Sequence, residues 1–189
     1  VKAVPLSILD DCSRFSMALC AQQGRALEVI WPVVWEVMGT WGLPQAILTD
    51  NDGVFRGRRG GVSAWTARLW RLGIAHVSGH PYHPQTQGKV ERFHRTVQEQ
   101  VLEGQVFDTL EQLQASLDAF RHQYNYQRPH AALDLDVPAV HYGPSPRKRP
   151  DQLPPVEYPA GAELRRVHQN GAINVRGCRV NVGDGLRGE

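Results

Sequence analysis

The chain has 189 residues, of which 41% are hydrophobic and 21% are charged, and its formal net charge is +2 at pH 7. This length predicts about one domain with room for a small second module, and the near-balanced charge by itself indicates no particular partner. No apolar stretch approaches the roughly 18 residues of a membrane span, the start lacks a signal peptide, and three cysteines without CxxC spacing disfavour a disulfide framework or zinc module, so we expect a cytoplasmic protein.

The first half of the chain predicts a hairpin, a helix and a short strand. Two apolar runs, 4–9 and 15–20, flank a polar corner that is typical of a turn between paired strands. Residues 25–41 repeat apolar side chains at steps of three and four and predict a helix. A brief buried strand over 46–48 then leads directly to Asp50.

A Gly- and Arg-rich loop follows, and three further elements are predicted after it. Residues 62–72 favour a helix closed by Gly73, and residues 74–77 favour another short strand. Five tryptophans at helical spacing are expected in the core rather than in base stacking, namely Trp31, Trp35, Trp41, Trp65 and Trp70.

From Gly88 onward a helix is predicted by the apolar positions Val90, Phe93, Val97 and Val101. Glu91 falls just beside this apolar stripe on a helical wheel, at the margin of the core where a cleft would lie. The next predicted helix, 109–124, starts with a capping-box pattern in which Gln112 follows Thr109 by three residues.

The composition changes after residue 137. Seven prolines occur between residues 138 and 159, and Arg147, Lys148 and Arg149 lie among them, which predicts an extended basic linker. Alternating apolar and polar residues over 164–182, interrupted by glycines, favour hairpins of a small β module. We therefore expect domain boundaries of 1–137, 138–160 and 161–189, with the last module partial.

Two acids stand out for chemistry, Asp50 at a strand end and Glu91 in the first turn of a helix. Converging carboxylates bind hard divalent cations through oxygen, and Mg²⁺ is the usual occupant beside phosphates. Spacing alone is weak evidence, because an Asp after a strand is more often a turn residue and a Glu in a first helical turn is usually a solvated charge.

Four segments in chain order resemble the catalytic core of the DDE integrase and transposase family. They are Leu6-Ser7-Ile8-Leu9-Asp10-Asp11-Cys12-Ser13-Arg14-Phe15, Thr49-Asp50-Asn51 with Phe55, His83-Pro84-Gln85-Thr86-Gln87-Gly88-Lys89-Val90-Glu91-Arg92, and Tyr124-Asn125-Tyr126-Gln127-Arg128-Pro129-His130. The last of these is similar to the segment that closes the core in bacterial insertion-sequence transposases. The resemblance covers about residues 4 to 137.

This resemblance implies an α/β, ribonuclease-H-like fold with a mixed sheet flanked by helices, and metal-dependent DNA strand cleavage and transfer in the intact protein. Asp50 and Glu91 would be ligands of two Mg²⁺ or Mn²⁺ ions, and homo-oligomers on double-stranded DNA, at element ends and target, are expected. The residues expected to contact DNA are Gln87, Lys89, Arg92, Arg147, Lys148 and Arg149.

The chain also departs from the family pattern. The first family acid would lie on a strand before Val4, where the sequence has no such residue, so we expect a fragment that lacks its first strand. Asp10 and Asp11 match a structural turn instead. The number of residues between Asp50 and Glu91 is 40, somewhat more than is usual, and the Gly- and Arg-rich loop is the natural place for the excess.

Other interpretations remain open at this point. The protein could be a non-catalytic remnant that binds DNA without sequence preference, or, less consistently with the third motif, a ribonuclease acting on RNA–DNA hybrids. His76, His80, His83 and His94 could form a metal cluster, although polar loop residues are the better interpretation.

Overall fold

The computed structural model describes residues 3–57, 60–79 and 88–187. Two compact units divide the chain, one comprising Val1–Trp41 with Tyr82–Ser145 and the other Gly42–Pro81 with Pro146–Glu189. The elements in chain order are β1 (Val4–Leu9), β2 (Ser16–Gln22), α1 (Leu27–Trp41), β3 (Ala46–Thr49), α2 (Ala64–Arg71), β4 (Ala75–Ser78), α3 (Gly88–Val97), α4 (Leu110–Tyr126), α5 (Pro138–His141), β5 (Ala172–Val175) and β6 (Cys178–Asn181).

The predicted hairpin forms in the first unit. Strands β1 and β2 pair antiparallel, with Leu6 opposite Cys20 and a register shift between Ile8 and Leu9. Asp10 closes the turn, because its Oδ2 accepts hydrogen bonds from the backbone N–H of Ser13 at 2.7 Å and from the Ser13 hydroxyl at 2.7 Å. The structural role expected for Asp10 is therefore confirmed.

The core of the first unit lies between β2 and the helices α3 and α4. Helix α3 continues into a π-helical turn, Gln98–Leu102, in which the N–H of Glu103 bonds the carbonyl of Gln98. This turn lets the apolar stripe predicted from Gly88 extend to Val101. The buried cluster consists of Leu19, Phe93, Val97, Val101, Leu113, Leu117, Phe120 and Tyr124.

Side chains of helix α4 form hydrogen bonds with backbone groups of β2 on the edge that does not face β1. Asn125, only 1% exposed, accepts from the Ser16 N–H at 2.8 Å and donates to the Ser16 carbonyl at 2.9 Å. Gln114 accepts from the Ala21 N–H and donates to the Leu19 carbonyl, and Arg121 donates to the Met17 carbonyl. Positions 114, 121 and 125 are seven and four residues apart, so they share one helical face.

The capping of α4 differs in part from the expected capping box. Thr109 is the N-cap, and its hydroxyl accepts from the Gln112 N–H as predicted. The Gln112 side chain, however, accepts from the N–H of Asp108 rather than from the N-cap residue itself. Both hydrogen bonds of a capping box are therefore present, but the one from the Gln112 side chain reaches the residue before the N-cap.

The second unit contains a β–α–β segment. Strands β3 and β4 are parallel, with Leu48 opposite Val77, and α2 connects them. The N–H groups of Gly73 and Ile74 bond the carbonyls of Trp70 and Leu69, and Gly73 has φ +62°, which is the Schellman arrangement expected at this helix end.

Two burial predictions in the second unit are wrong. Strand β3 was expected to be buried, yet Leu48 is 37% exposed and its partner Val77 is 44% exposed. Trp65 lies in the core at 2% exposure, whereas Trp70 is 54% exposed on the same short helix. An eight-residue helix buries one face, and Trp70 lies five residues after Trp65, on another face.

The residues after 137 pack closely in both units. Tyr142 stacks on Phe15 with ring centroids 4.4 Å apart in the first unit. In the second unit β5 and β6 form a hairpin, and the Val62 N–H donates to the Val182 carbonyl at 2.9 Å. A Cβ on Gly183, which has φ +110°, would lie 2.1 Å from the Val62 nitrogen, so this approach requires glycine.

The proposed domain boundaries stay a prediction.

We expect Asn125→Leu to lower the free energy of unfolding by about 3 kcal/mol, because the N–H and carbonyl of Ser16 would both lose their partner in a buried site. Urea unfolding followed by circular dichroism measures this change. Gln123→Ala, an exposed substitution on the same helix, is the matched control and should change stability by less than about 0.5 kcal/mol. Equal effects of the two substitutions would contradict the role given to Asn125.

Candidate functional site

Asp50 is the first residue beyond the carboxyl end of β3. The parallel ladder continues one step past the strands, because the Gly79 N–H donates to the Thr49 carbonyl at 3.0 Å. The Asp50 side chain is exposed at this end of the β3–β4 pair. Open α/β sheets bind ligands outside the carboxyl ends of their strands, so Asp50 occupies a position suited to a site.

The turn after β3 is held by three side-chain hydrogen bonds. Asp50 Oδ1 accepts from the Asp52 N–H at 3.0 Å, and Asp52 Oδ1 accepts from the Val54 N–H at 3.1 Å. Asn51 Nδ2 donates to the Gly79 carbonyl at 2.8 Å. The turn role considered for Asp50 is thus present, and a carboxylate with about four lone-pair sites keeps acceptor capacity beyond that one bond.

His76 lies beneath this turn, on the face of β4 that α2 covers. Its Nε2 is 2.9 Å from the Thr49 hydroxyl and its Nδ1 is 2.8 Å from the Thr66 hydroxyl. Burial lowers the pKa of the His76 imidazole below its ordinary value of 6.5. Both ring nitrogens of His76 are therefore hydrogen-bonded within the second unit, and the lowered pKa favours the neutral form of the ring.

Glu91 is exposed in the first turn of α3, in the first unit. The helix is anchored from its opposite side, because Phe93 and Val97 are 1% and 2% exposed. One turn later, His94 Nε2 lies 2.6 Å from the Ser7 hydroxyl and connects α3 to β1. Glu91 therefore lies exposed beside the buried stripe of α3, and its role as a site residue stays a prediction.

Lys89 has a partner that the sequence did not indicate. Its ammonium lies 2.6 Å from Asp11 Oδ2 and 3.0 Å from the Asp11 carbonyl oxygen. The Asp11 side chain is 74% exposed, and that of Lys89 is 35% exposed. The carboxylate of Asp11, in the turn after β1, thus partly neutralises the positive charge of Lys89.

The other expected DNA contacts have different surroundings. Arg92 is exposed on α3, and Lys148 is exposed in the second unit. Arg147 donates to the carbonyls of Pro44, Leu72 and Gly73, so its guanidinium clamps the α2 end to the loop before β3. Arg149 is half-buried, and Gln87 lies outside the described residues.

The donor chemistry of the two acids fits a hard cation, since both offer exposed carboxylate oxygens. Within residues 3–57, 60–79 and 88–187, no group of three or more His, Cys, Asp or Glu side chains is arranged to hold a metal ion. Of the four histidines considered as a cluster, His76 and His94 bond hydroxyl groups, and His80 and His83 lie outside the described residues. In the same described ranges, no helix is long and apolar enough to cross a bilayer.

Comparison with protein families identifies residues 72–138 as matching the integrase core domain. Two bacterial relatives match most of this chain. An uncharacterized 39.2 kDa protein of insertion element IS476 from Xanthomonas euvesicatoria is 27% identical over 71% of this chain and 37% of its own length. A putative transposase of IS5376 from Geobacillus stearothermophilus is 28% identical over 72% and 34%. The chain thus spans about a third of these relatives.

Solved structures show the same fold. The catalytic core domain of BIV integrase aligns with a TM-score of 0.58 at 20% identity, covering 75% of this chain and 86% of that one. A chain of the simian T-cell lymphotropic virus intasome in complex with PP2A regulatory subunit B56 gamma aligns at 0.56 with 14% identity, covering 95% and 64%. The expected ribonuclease-H-like, mixed α/β fold is confirmed.

We expect the free energy of unfolding to fall as the pH is lowered from about 7.5 to about 5.5. Burial lowers the pKa values of His76 and His130 in the folded chain, whereas the unfolded chain regains the ordinary value of 6.5. The unfolded state therefore binds more protons below that pH, and the stability present above it is lost on acidification. Urea unfolding at both pH values measures this loss.

The variants His76→Gln and His130→Gln should each make this pH dependence shallower, because each removes one of the two half-buried imidazoles whose pKa is lowered. His122→Gln is the control, because His122 is exposed on α4. A pH dependence of stability that stays unchanged in both His76→Gln and His130→Gln would contradict the assignment.

Proposed function

We propose that this chain carries a DDE-type integrase core and acts in metal-dependent DNA strand cleavage and transfer, as a transposase. The observation that carries the proposal is the integrase core match across 72–138, which includes α3 with Glu91 exposed in its first turn. The two bacterial relatives are named for insertion elements, which favours transposition over retroviral integration as the biological setting.

Asp50 and Glu91 are the two carboxylates that would hold Mg²⁺ or Mn²⁺. A bound pair of such ions would activate the attacking oxygen and stabilise the leaving oxygen at the scissile phosphate. The chain itself positions these acids. Asp50 is held by the turn in which its carboxylate accepts from the Asp52 N–H, and Glu91 is held by the burial of Phe93 and Val97 on the other side of α3. The exposure of both carboxylates supports access by a substrate as large as duplex DNA.

The proposed DNA contacts are basic residues in each unit taken separately, on α3 in the first unit and after α5 in the second. Lys89 and Arg92 lie in the first two turns of α3, which also carries Glu91. Lys148 is exposed in the second unit. Arg149 and Gln87 are also proposed to contact DNA. Arg147 would contribute to DNA binding by holding the loop before β3 in place. Assembly as a homo-oligomer on paired DNA ends is part of the same proposal.

We expect Glu91→Gln and Asp50→Asn each to reduce Mg²⁺-dependent nicking of supercoiled plasmid by at least about 100-fold, because a metal ligand supplies several kcal/mol of transition-state stabilisation. Gel electrophoresis of the full chain with plasmid and Mg²⁺ measures the rate. DNA binding should be retained in both variants, because neither acid is proposed to contact DNA.

Glu99→Gln is the matched control, since Glu99 is exposed in the helical turn that follows α3. Nicking that persists in both acid variants would refute the assignment of these residues. A parent chain that binds DNA without any nicking would instead support the non-catalytic alternative.

We expect Asp11→Asn to tighten DNA binding and steepen its salt dependence, because it removes the charge that pairs with Lys89. The logarithmic slope of affinity against salt should increase by up to about one unit. Lys89→Gln should weaken binding, and Asp11→Asn in that background should add little. Fluorescence anisotropy with a labelled duplex at several salt concentrations measures all four proteins.

Asp108→Asn removes the same charge from an exposed position in the first unit and serves as the control. An equal gain in that variant would show that net charge alone is responsible. Full additivity of the Asp11 and Lys89 substitutions would contradict the pairing.

A further inference from the structure

A chain of polar contacts runs through the second unit from the end of β3 to the start of α2. The Thr49 hydroxyl contacts His76 Nε2 at 2.9 Å, and His76 Nδ1 contacts the Thr66 hydroxyl at 2.8 Å. The Thr66 hydroxyl in turn lies 2.9 Å from the Ser63 hydroxyl. Ser63 donates to the Phe55 carbonyl at 2.9 Å and is also the N-cap of α2.

The direction of every bond in this chain follows from the fixed acceptor at its end. A carbonyl oxygen cannot donate, so the single hydroxyl proton of Ser63 points to Phe55. The Ser63 oxygen must then accept from the Thr66 hydroxyl, whose only proton is thereby used. The Thr66 oxygen in turn must accept from His76, which places a proton on Nδ1.

The other ring nitrogen then has one role. In a neutral imidazole with Nδ1 protonated, Nε2 is an acceptor, and it takes the hydroxyl proton of Thr49. Partial burial lowers the pKa of the His76 imidazole and so favours the neutral ring at neutral pH. Each hydroxyl in the chain donates once, so every contact is satisfied in a single arrangement.

We propose that His76, as the Nδ1–H tautomer, is a positioning residue that holds Thr49, and through it the Asp50 turn, against the N-terminus of α2. Thr49 is 9% exposed and immediately precedes Asp50, so its side chain is the last anchored point before the candidate acid. Phe55, at the other end of the chain, lies just after the same turn. The two flanks of the turn are therefore joined through one imidazole.

This inference rests on the proposed function only for the importance of Asp50, and its test does not require activity. Long-range ¹H–¹⁵N spectra of the full chain should show the Nδ1–H tautomer of His76 at neutral pH. Amide exchange of Asp52 and Gly79, whose N–H groups bond Asp50 and the Thr49 carbonyl, should accelerate about 3- to 10-fold in Thr49→Val and His76→Asn.

Thr49→Ser keeps the hydroxyl and should restore slow exchange at both amides. Thr40→Val is the matched control, because it removes an exposed threonine hydroxyl that bonds the Glu36 carbonyl within α1. An Nε2–H or charged ring at neutral pH would overturn the proposal, as would exchange in Thr49→Val that stays at the parent rate. If the parent chain never nicks DNA, the proposed function fails while these readouts still decide the role of His76.

Discussion

The first unit depends on how α4 satisfies the open edge of β2. A strand with one unpaired edge presents backbone donors and acceptors that need partners, and α4 supplies them from Gln114, Arg121 and Asn125. This pairing sets the position of α4 along the strand. The same helix contributes Leu117 and Phe120 to the core that buries Phe93 of α3, so the orientation of Glu91 follows from the edge of β2.

In the second unit, polar side chains fix the position of the turn that carries Asp50. Its parallel strands are short, and the turn that presents Asp50 is stabilised by polar side chains rather than by an apolar core. Arg147 bonds carbonyls at both the α2 end and the loop before β3, and His76 joins that helix's start to the strand end. Polar links of this kind are compatible with the exposed side chain of Asp50, because apolar packing at the same place would bury it.

Much of the fold could be predicted from apolar periodicity. The helices containing Leu27, Phe93 and Leu117, the strand pair around the Asp10 turn, and the glycine cap at Gly73 all form within a few residues of their predicted bounds. The wrong predictions concern burial, as at Leu48 and Trp70. The structure adds contacts distant in sequence that the pattern did not indicate, such as the bonds from Arg147 to the carbonyls of Pro44 and Leu72, and the DNA contact expected of Arg147 stays a prediction.

The sequence by itself indicated the resemblance to integrase cores and the order of elements, because these are encoded in local motifs and in spacing along the chain, and it supplied Asp50 and Glu91 as candidate acids, whose role stays a prediction. Only the tertiary structure decided that Asp11 pairs with Lys89, that Asn125 completes the edge of β2, and that His76 takes one tautomer. Each of these depends on groups brought together across 10 to 109 residues. A hydrogen bond is directional and short in range, so its partner is known only once both ends have been placed.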